Sequence, residues 1–98
     1  MNMSKEENAI YIGRKETMNY CLVVVTIFNK GENNCTIRAR GRSISKAVDV
    51  TEITRRKFLP DMIEISDVKI GSEVLDGDYG PKTVSTIDIT LKRKSSEK

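Results

Sequence analysis

The chain has no histidine and no tryptophan, and it has only two cysteines. Histidine is the usual general base near neutral pH, so a nucleophile such as Ser43 or Cys21 lacks its ordinary activating partner. Two cysteines without histidine or a second cysteine pair cannot complete a zinc site. The sequence therefore predicts neither an enzyme nor a metalloprotein, and no cofactor is expected.

Long apolar runs are also missing. No run approaches the ~20 residues that span a membrane, and the N-terminus lacks an apolar segment followed by a small-residue cleavage site. Cys21 and Cys35 stand within short apolar runs, which favours packed free thiols over a disulfide. We expect a cytoplasmic protein with a single domain over residues 1–98, in which residues 1–8 and 95–98 are flexible.

Charge is distributed unevenly along the chain. Lys and Arg number 17 against 14 Asp and Glu, so the net charge of +3 says little about partners. Residues 34–57, however, contain seven basic residues and two acidic ones, whereas residues 61–78 contain six acids and one lysine. The first region favours anionic partners, and the second would repel them.

Apolar patterning in the first third predicts a strand followed by a helix. A short alternating strand at residues 10–12 ends at Gly13. Residues 17–30 favour a helix over a strand by their length, and Thr17 is a candidate N-cap. Apolar residues surround most of this helix, which predicts that it is mostly buried.

A second strand and helix follow. The strand over residues 35–40 should send its arginines outward, and the helix should begin with a cap at Ser43 or Ser45 and end near Leu59, before Pro60. An arc of about 120° on this helix is predicted to face the sheet. Its members are Ile44, Ala47, Val48, Thr51, Thr54 and Phe58. The two aliphatic residues outside the arc suggest a surface for self-association. They are Val50 and Ile53.

The last third predicts a long antiparallel hairpin. Apolar alternation changes phase between Ile65 and Val68, which predicts a bulge near residues 66–67. Turn-forming residues at 76–81 connect this strand to a final one around residues 87–91. The whole order is β-α-β-α-β-β, a small two-layer α/β sandwich.

This order brings two basic loops together. Right-handed crossovers make the first two strands parallel, so the loops at 13–15 and 41–42 leave the same sheet edge, each before a helix N-terminus that favours anions. We call the cationic residues at this edge the basic rim: Arg14, Lys15, Arg38, Arg40, Arg42 and Lys46. The rim could simply keep the protein soluble, but its clustering, its glycines and the absence of neighbouring acids in the sequence favour polyanion binding.

Four segments resemble, in order and spacing, the Alba family of archaeal chromatin proteins. They are Ile12-Gly13-Arg14-Lys15, Met18-Asn19-Tyr20, Arg38 to Asp49, and Phe58-Leu59-Pro60-Asp61. The resemblance covers residues 9–94 and implies the small sandwich shared with the C-terminal domain of translation initiation factor three. It also implies a chromosome-associated homodimer that coats and compacts duplex DNA and binds RNA.

Roles for individual residues come from the same resemblance. It implies nucleic-acid contact by Arg40 and Arg42, a groove-following arm around residues 75–82, and a contact between dimers through Phe58. It places a basic pair at Arg14 and Lys15, where the family commonly has two lysines and associates the first with acetylation. Arginine at the first position cannot be acetylated on a lysine amine, which leaves Lys15 as the possible target.

Three questions stay open at the level of sequence. RNA could be the main partner, with the chain acting as a ribonucleoprotein subunit or RNA chaperone. A paralogue could replace one protomer in a heterodimer. The chain could also be an oligomeric interaction module built on its exposed apolar residues, with an incidental rim. Few side chains suit base reading, so any nucleic-acid binding should tolerate many sequences.

Overall fold

The computed structural model of the chain describes residues 8–94, so the predicted flexible ends lie outside it except at Asn8. The strands and helices follow the predicted order, β-α-β-α-β-β. The elements are β1 (Ala9–Tyr11), α1 (Thr17–Asn29), β2 (Asn34–Arg40), α2 (Ile44–Ile53), β3 (Ile63–Gly77) and β4 (Gly80–Arg93). In the sheet the order is β1-β2-β4-β3, with β1 and β2 parallel and the other pairs antiparallel. The predicted fold class is confirmed.

Both helices cover one face of this sheet, and the core lies between the two layers. The inward residues of the central strands are buried, as alternation predicts: Cys35, Ile37, Ala39, Ile87, Ile89 and Leu91. The opposite face is open to solvent and includes Arg38 and Arg40 of β2. The predicted outward direction of these arginines is therefore confirmed.

Helix α1 differs from its prediction in two respects. It begins at Thr17, and the extended residue Glu16 occupies the N-cap, so Thr17 is not the cap. The helix is also not mostly buried, because one stripe contacts the core while Met18, Leu22 and Val23 are exposed, with Leu22 54% accessible. A helix packed from one side buries only that stripe, whatever the chemistry of its other residues.

The arc predicted for α2 is partly wrong. Ala47, Thr51 and Thr54 are buried as expected, but Val48 is 42% exposed and Val50 is completely buried. The predicted arc assumed that α2 contacts only the sheet, whereas α2 also packs against α1. The backbone carbonyl of Val50 lies 3.8 Å from the Cys21 thiol at this helix contact. Val50 therefore cannot contribute its side chain to a surface between dimers.

The end of α2 explains the position of Phe58. Residues Thr54–Phe58 form a π-helical turn in which the Leu59 N–H donates to the Thr54 carbonyl at 2.8 Å. This wider turn contains one more residue than an α-helical turn, so the phase of the helix shifts. Leu59 enters the core, and Phe58 is 40% exposed instead of facing the sheet. Ile53 is half-buried against the core.

The hairpin of β3 and β4 has the predicted irregularity. The register shifts between Ile65 and Asp67, which confirms the bulge, and a two-residue connection at 78–79 joins the strands. β2 pairs with β4 only as far as Thr86. Within the described chain, residues 72–85 therefore form a two-stranded ribbon that continues past the rest of the sheet, which we call the arm.

Candidate nucleic-acid interface

The loops after β1 and β2 meet at one edge of the sheet. The Ile12 N–H donates to the Arg38 carbonyl at 2.9 Å and extends the parallel pairing of β1 and β2. A short 3-10 turn, Gly41–Ser43, then leads into α2, and Gly41 has a φ of 58° that favours glycine. Parallel pairing thus confirms that both loops leave the same edge.

Lys46 connects these two regions directly. It lies in the first turn of α2, and its Nζ donates to the carbonyls of Gly13 at 2.8 Å and Lys15 at 2.7 Å. Its side chain is therefore directed at the backbone of the neighbouring loop. The structure brings Lys46 to the rim, as predicted, with two of its three N–H groups occupied by protein carbonyls.

Tyr20 is a second contact to the same loop, and the sequence reasoning assigned it no role. Its hydroxyl accepts hydrogen bonds from the N–H groups of Gly13 at 2.8 Å and Lys15 at 3.3 Å. The Lys46 ammonium lies 6.0 Å from the centre of its ring. A buried tyrosine needs a partner for its hydroxyl. The position of Tyr20 in the first turn of α1, shortly after the loop that begins at Gly13, was the sequence signal that could have indicated this contact.

The six predicted rim residues have different surroundings. Arg14, Lys15 and Arg42 are exposed, and in residues 8–94 no acidic side chain forms an ion pair with them. Arg38 is partly buried beside Tyr11, donating to the tyrosine hydroxyl at 3.0 Å. The loop cations are therefore accessible to an anion, while Arg38 is held on the open face of the sheet.

Two acids reach the rim from the hairpin, which the sequence reasoning missed. Glu73 of β3 forms an ion pair with Arg40, and the Asp88 carboxylate of β4 lies 3.6 Å from the Arg38 Nε. These acids are remote in sequence and arrive through the pairing of β2, β4 and β3. The expectation of a rim without neighbouring acids is therefore wrong for its strand-borne arginines.

Three further features of the described residues concern a thiol, metal ligands and helix length. Burial raises the pKa of the Cys35 thiol to about 12, so this sulfur stays protonated near neutral pH. In residues 8–94, no group of three potential ligands is arranged to hold a metal ion. Over the same residues, no helix has the length and apolar character needed to cross a membrane. The fold and the rim together define a small two-layer α/β protein with a cationic edge.

Comparisons with known proteins agree with this class. The family model for Alba matches residues 8–72. The DNA/RNA-binding protein Alba of Thermoplasma acidophilum is 54% identical over 88 residues, covering 90% of this chain and 98% of that protein. The DNA/RNA-binding protein Alba 1 of Archaeoglobus fulgidus is 49% identical over the same shares of both chains. The chain belongs to the Alba family.

Solved structures support the fold independently. Alba from Thermoplasma volcanium has a TM-score of 0.85 at 52% identity, covering 88% of this chain and 100% of the other. ALBA1 from Trypanosoma brucei has a TM-score of 0.72 at 20% identity, covering 90% of this chain and 70% of the other. The second likeness concerns the fold alone.

Proposed function

We propose that this chain binds duplex DNA with little sequence preference and compacts it as a chromatin protein. The observation that carries the proposal is the joining of two cationic loops at one sheet edge, where Arg14, Lys15 and Arg42 are exposed. Relatives about half identical to this chain are named DNA/RNA-binding proteins, which supports a nucleic-acid partner.

The binding mechanism in this proposal is electrostatic. Arginine and lysine neutralise phosphates and release the counterions that surround a duplex. Phosphate contacts position a protein on DNA without reading its sequence. The six rim residues are all arginine or lysine, and none is an asparagine or glutamine, whose side-chain amides recognise adenine. The arm, which continues past the sheet, would lie along a groove, where its acidic residues weaken the contact with phosphate.

A homodimer completes the proposed binding unit. Four aliphatic residues of β3 lie on the helix-facing side of the sheet, and all are exposed: Ile65, Val68, Ile70 and Val74. Ile70 pairs with the buried Ile87, yet it is 81% exposed because β3 is an edge strand beyond the helices. A second copy of the chain would cover this row and double the rim.

A titration at two salt concentrations tests the function. A dimer that contacts about six to ten phosphates should lose roughly a thousandfold in affinity for duplex DNA between 50 and 200 mM salt. Replacing Arg14 and Arg42 together by alanine should weaken binding to all duplex sequences alike. The matched control replaces Lys30 and Lys57 by alanine and should change binding much less, because these exposed cations follow the C-terminal ends of α1 and α2, away from the rim, and form no ion pair in residues 8–94.

Two results would contradict the proposal. Affinity that does not respond to salt would exclude the electrostatic mechanism, and a loss confined to one DNA sequence would indicate base reading. The same titration with structured RNA tests the second candidate function, an RNA-binding role, because the relatives' names include RNA as well as DNA. Tighter binding to RNA at equal salt would make RNA the main partner. An interaction module without nucleic acid loses support, because the buried Val50 is unavailable to it.

A further inference from the structure

The backbone of the loop at residues 13–15 is held by two side chains from different helices. The N–H groups of Gly13 and Lys15 donate to the Tyr20 hydroxyl, and the carbonyls of the same two residues accept from Lys46 Nζ. All four bonds lie between 2.7 and 3.3 Å. Arg14 lies between these two fixed peptides, with its own side chain exposed.

The two side chains differ in what they could do for a polyanion. Tyr20 is uncharged and only 9% exposed, so it cannot neutralise a phosphate, and any influence on binding must pass through the loop. Lys46 is charged, but two of its N–H groups already donate to carbonyls, and one remains. A direct phosphate contact and a supporting role for Lys46 are therefore separable by experiment.

We propose that Lys46 and Tyr20 are positioning residues that hold residues 13–15 in the conformation that presents Arg14 and Lys15 beside Arg42. The proposal rests on the proposed polyanion-binding function and names the residues that fix the shape of its site. A loop that is already ordered avoids the conformational entropy cost of ordering on binding. Lys46 thus contributes to affinity mainly through its neighbours.

The first test uses Tyr20→Phe, which removes the hydroxyl and leaves the charge of the protein unchanged. Losing these hydrogen bonds should weaken duplex DNA binding about fivefold, with the salt dependence unchanged because no cation is removed. In the free protein, hydrogen exchange at the Gly13 and Lys15 amides should accelerate. The control is Thr26→Val, which removes an exposed hydroxyl that donates to the Leu22 carbonyl on the same helix, away from the loop, and should change neither measurement.

The second test is a double-mutant cycle on Lys46. Lys46→Met should weaken duplex binding about fivefold or more in the native chain, yet less than about twofold when Arg14 and Lys15 are both glutamine. Positioning predicts this loss of effect, because the residues that Lys46 presents are gone. An equal loss in both backgrounds would show an independent phosphate contact and overturn the proposal.

Failure of this proposal is distinguishable from failure of the proposed function. If the native chain binds no nucleic acid, the proposed function fails, while the exchange measurement still reports whether the two side chains order the loop. If Tyr20→Phe binds DNA as the native chain does, the positioning role is overturned and the function stands. Unchanged hydrogen exchange at the Gly13 and Lys15 amides in both Tyr20→Phe and Lys46→Met would likewise overturn it. Should Tyr20→Phe not fold, the Lys46 cycle decides.

Discussion

Glu73 is the acid that most directly affects the cationic edge. Its carboxylate is paired with Arg40, and both side chains are about half exposed, so the pair is readily exchanged with solvent and ions. Exposed ion pairs of this kind contribute about 0–1 kcal/mol, which a phosphate can displace. A nucleic acid that approaches Arg40 must nevertheless replace this partner and tolerate its negative charge.

Replacing Glu73 by glutamine should therefore strengthen duplex DNA binding by about twofold to fivefold, because Arg40 is released and a repulsive charge is removed. The measurement is a titration at fixed salt. Asp76→Asn is the matched control, since it removes the same charge three residues further along the arm, where the described chain gives it no ion-pair partner. An equal gain in both variants would show a general charge effect and not competition for Arg40.

At the scale of an element, a local charge cluster stabilises the junction between α2 and the π-helical turn that follows it. Glu52 accepts a hydrogen bond from Arg56 Nε at 2.8 Å and from Arg55 Nε at 2.7 Å, at helical spacings of four and three. These contacts, first from Arg56 and then from Arg55, hold the pKa of Glu52 below its ordinary value of 4.5. The cluster favours the folded state whenever the carboxylate is ionised.

The pH dependence follows from this direction. A carboxyl whose pKa is lower in the folded state stabilises above its unfolded pKa, and the contribution is lost as pH falls through the folded pKa. Glu52→Gln should therefore cost about 0.5–1 kcal/mol at pH 7 and progressively less below pH 4. Urea unfolding across this range measures the difference. The control for the loss of one negative charge is Asp49→Asn, because this exposed carboxylate of the same helix forms no ion pair in residues 8–94.

The whole molecule has an apolar surface that its own helices do not reach. The exposed row on β3 lies along an edge strand, and its residues share a face with the core residues of β4. Edge strands of this length usually need protection from unwanted association. The proposed symmetric dimer would cover this row, and any substitution in the row would then occur twice in one interface.

Ile70→Glu should accordingly raise the dissociation constant of the proposed dimer by about a hundredfold or more, because two aliphatic side chains that the dimer would bury become two charges. Sedimentation equilibrium measures this change. The control is Val23→Glu, an equally apolar and 45% exposed residue on α1, which should leave the dimer intact. A native chain that is monomeric at high concentration would contradict the proposed dimer.

Local features were predictable because they depend on neighbours along the chain. Alternation and turn chemistry predicted the strands, the hairpin and the bulge near residues 66–67. The β-α-β order with right-handed crossovers predicted parallel pairing at the edge that carries Arg14 and Arg42. The prediction of buried helix faces from helical periodicity was less reliable. It had no information on the packing of α1 against α2, which buries Val50, or on the π turn that exposes Phe58.

By itself, the sequence determined the order of elements, the loops that carry cations and the family to which the chain belongs. Only the tertiary structure decided which of those cations have partners. Glu73 reaches Arg40 through the register of β3 on β4 and of β4 on β2, and Lys46 reaches the Gly13 carbonyl through helix packing. Periodicity and turns are short-range properties, whereas such contacts arise between distant segments once the core has fixed their relative positions.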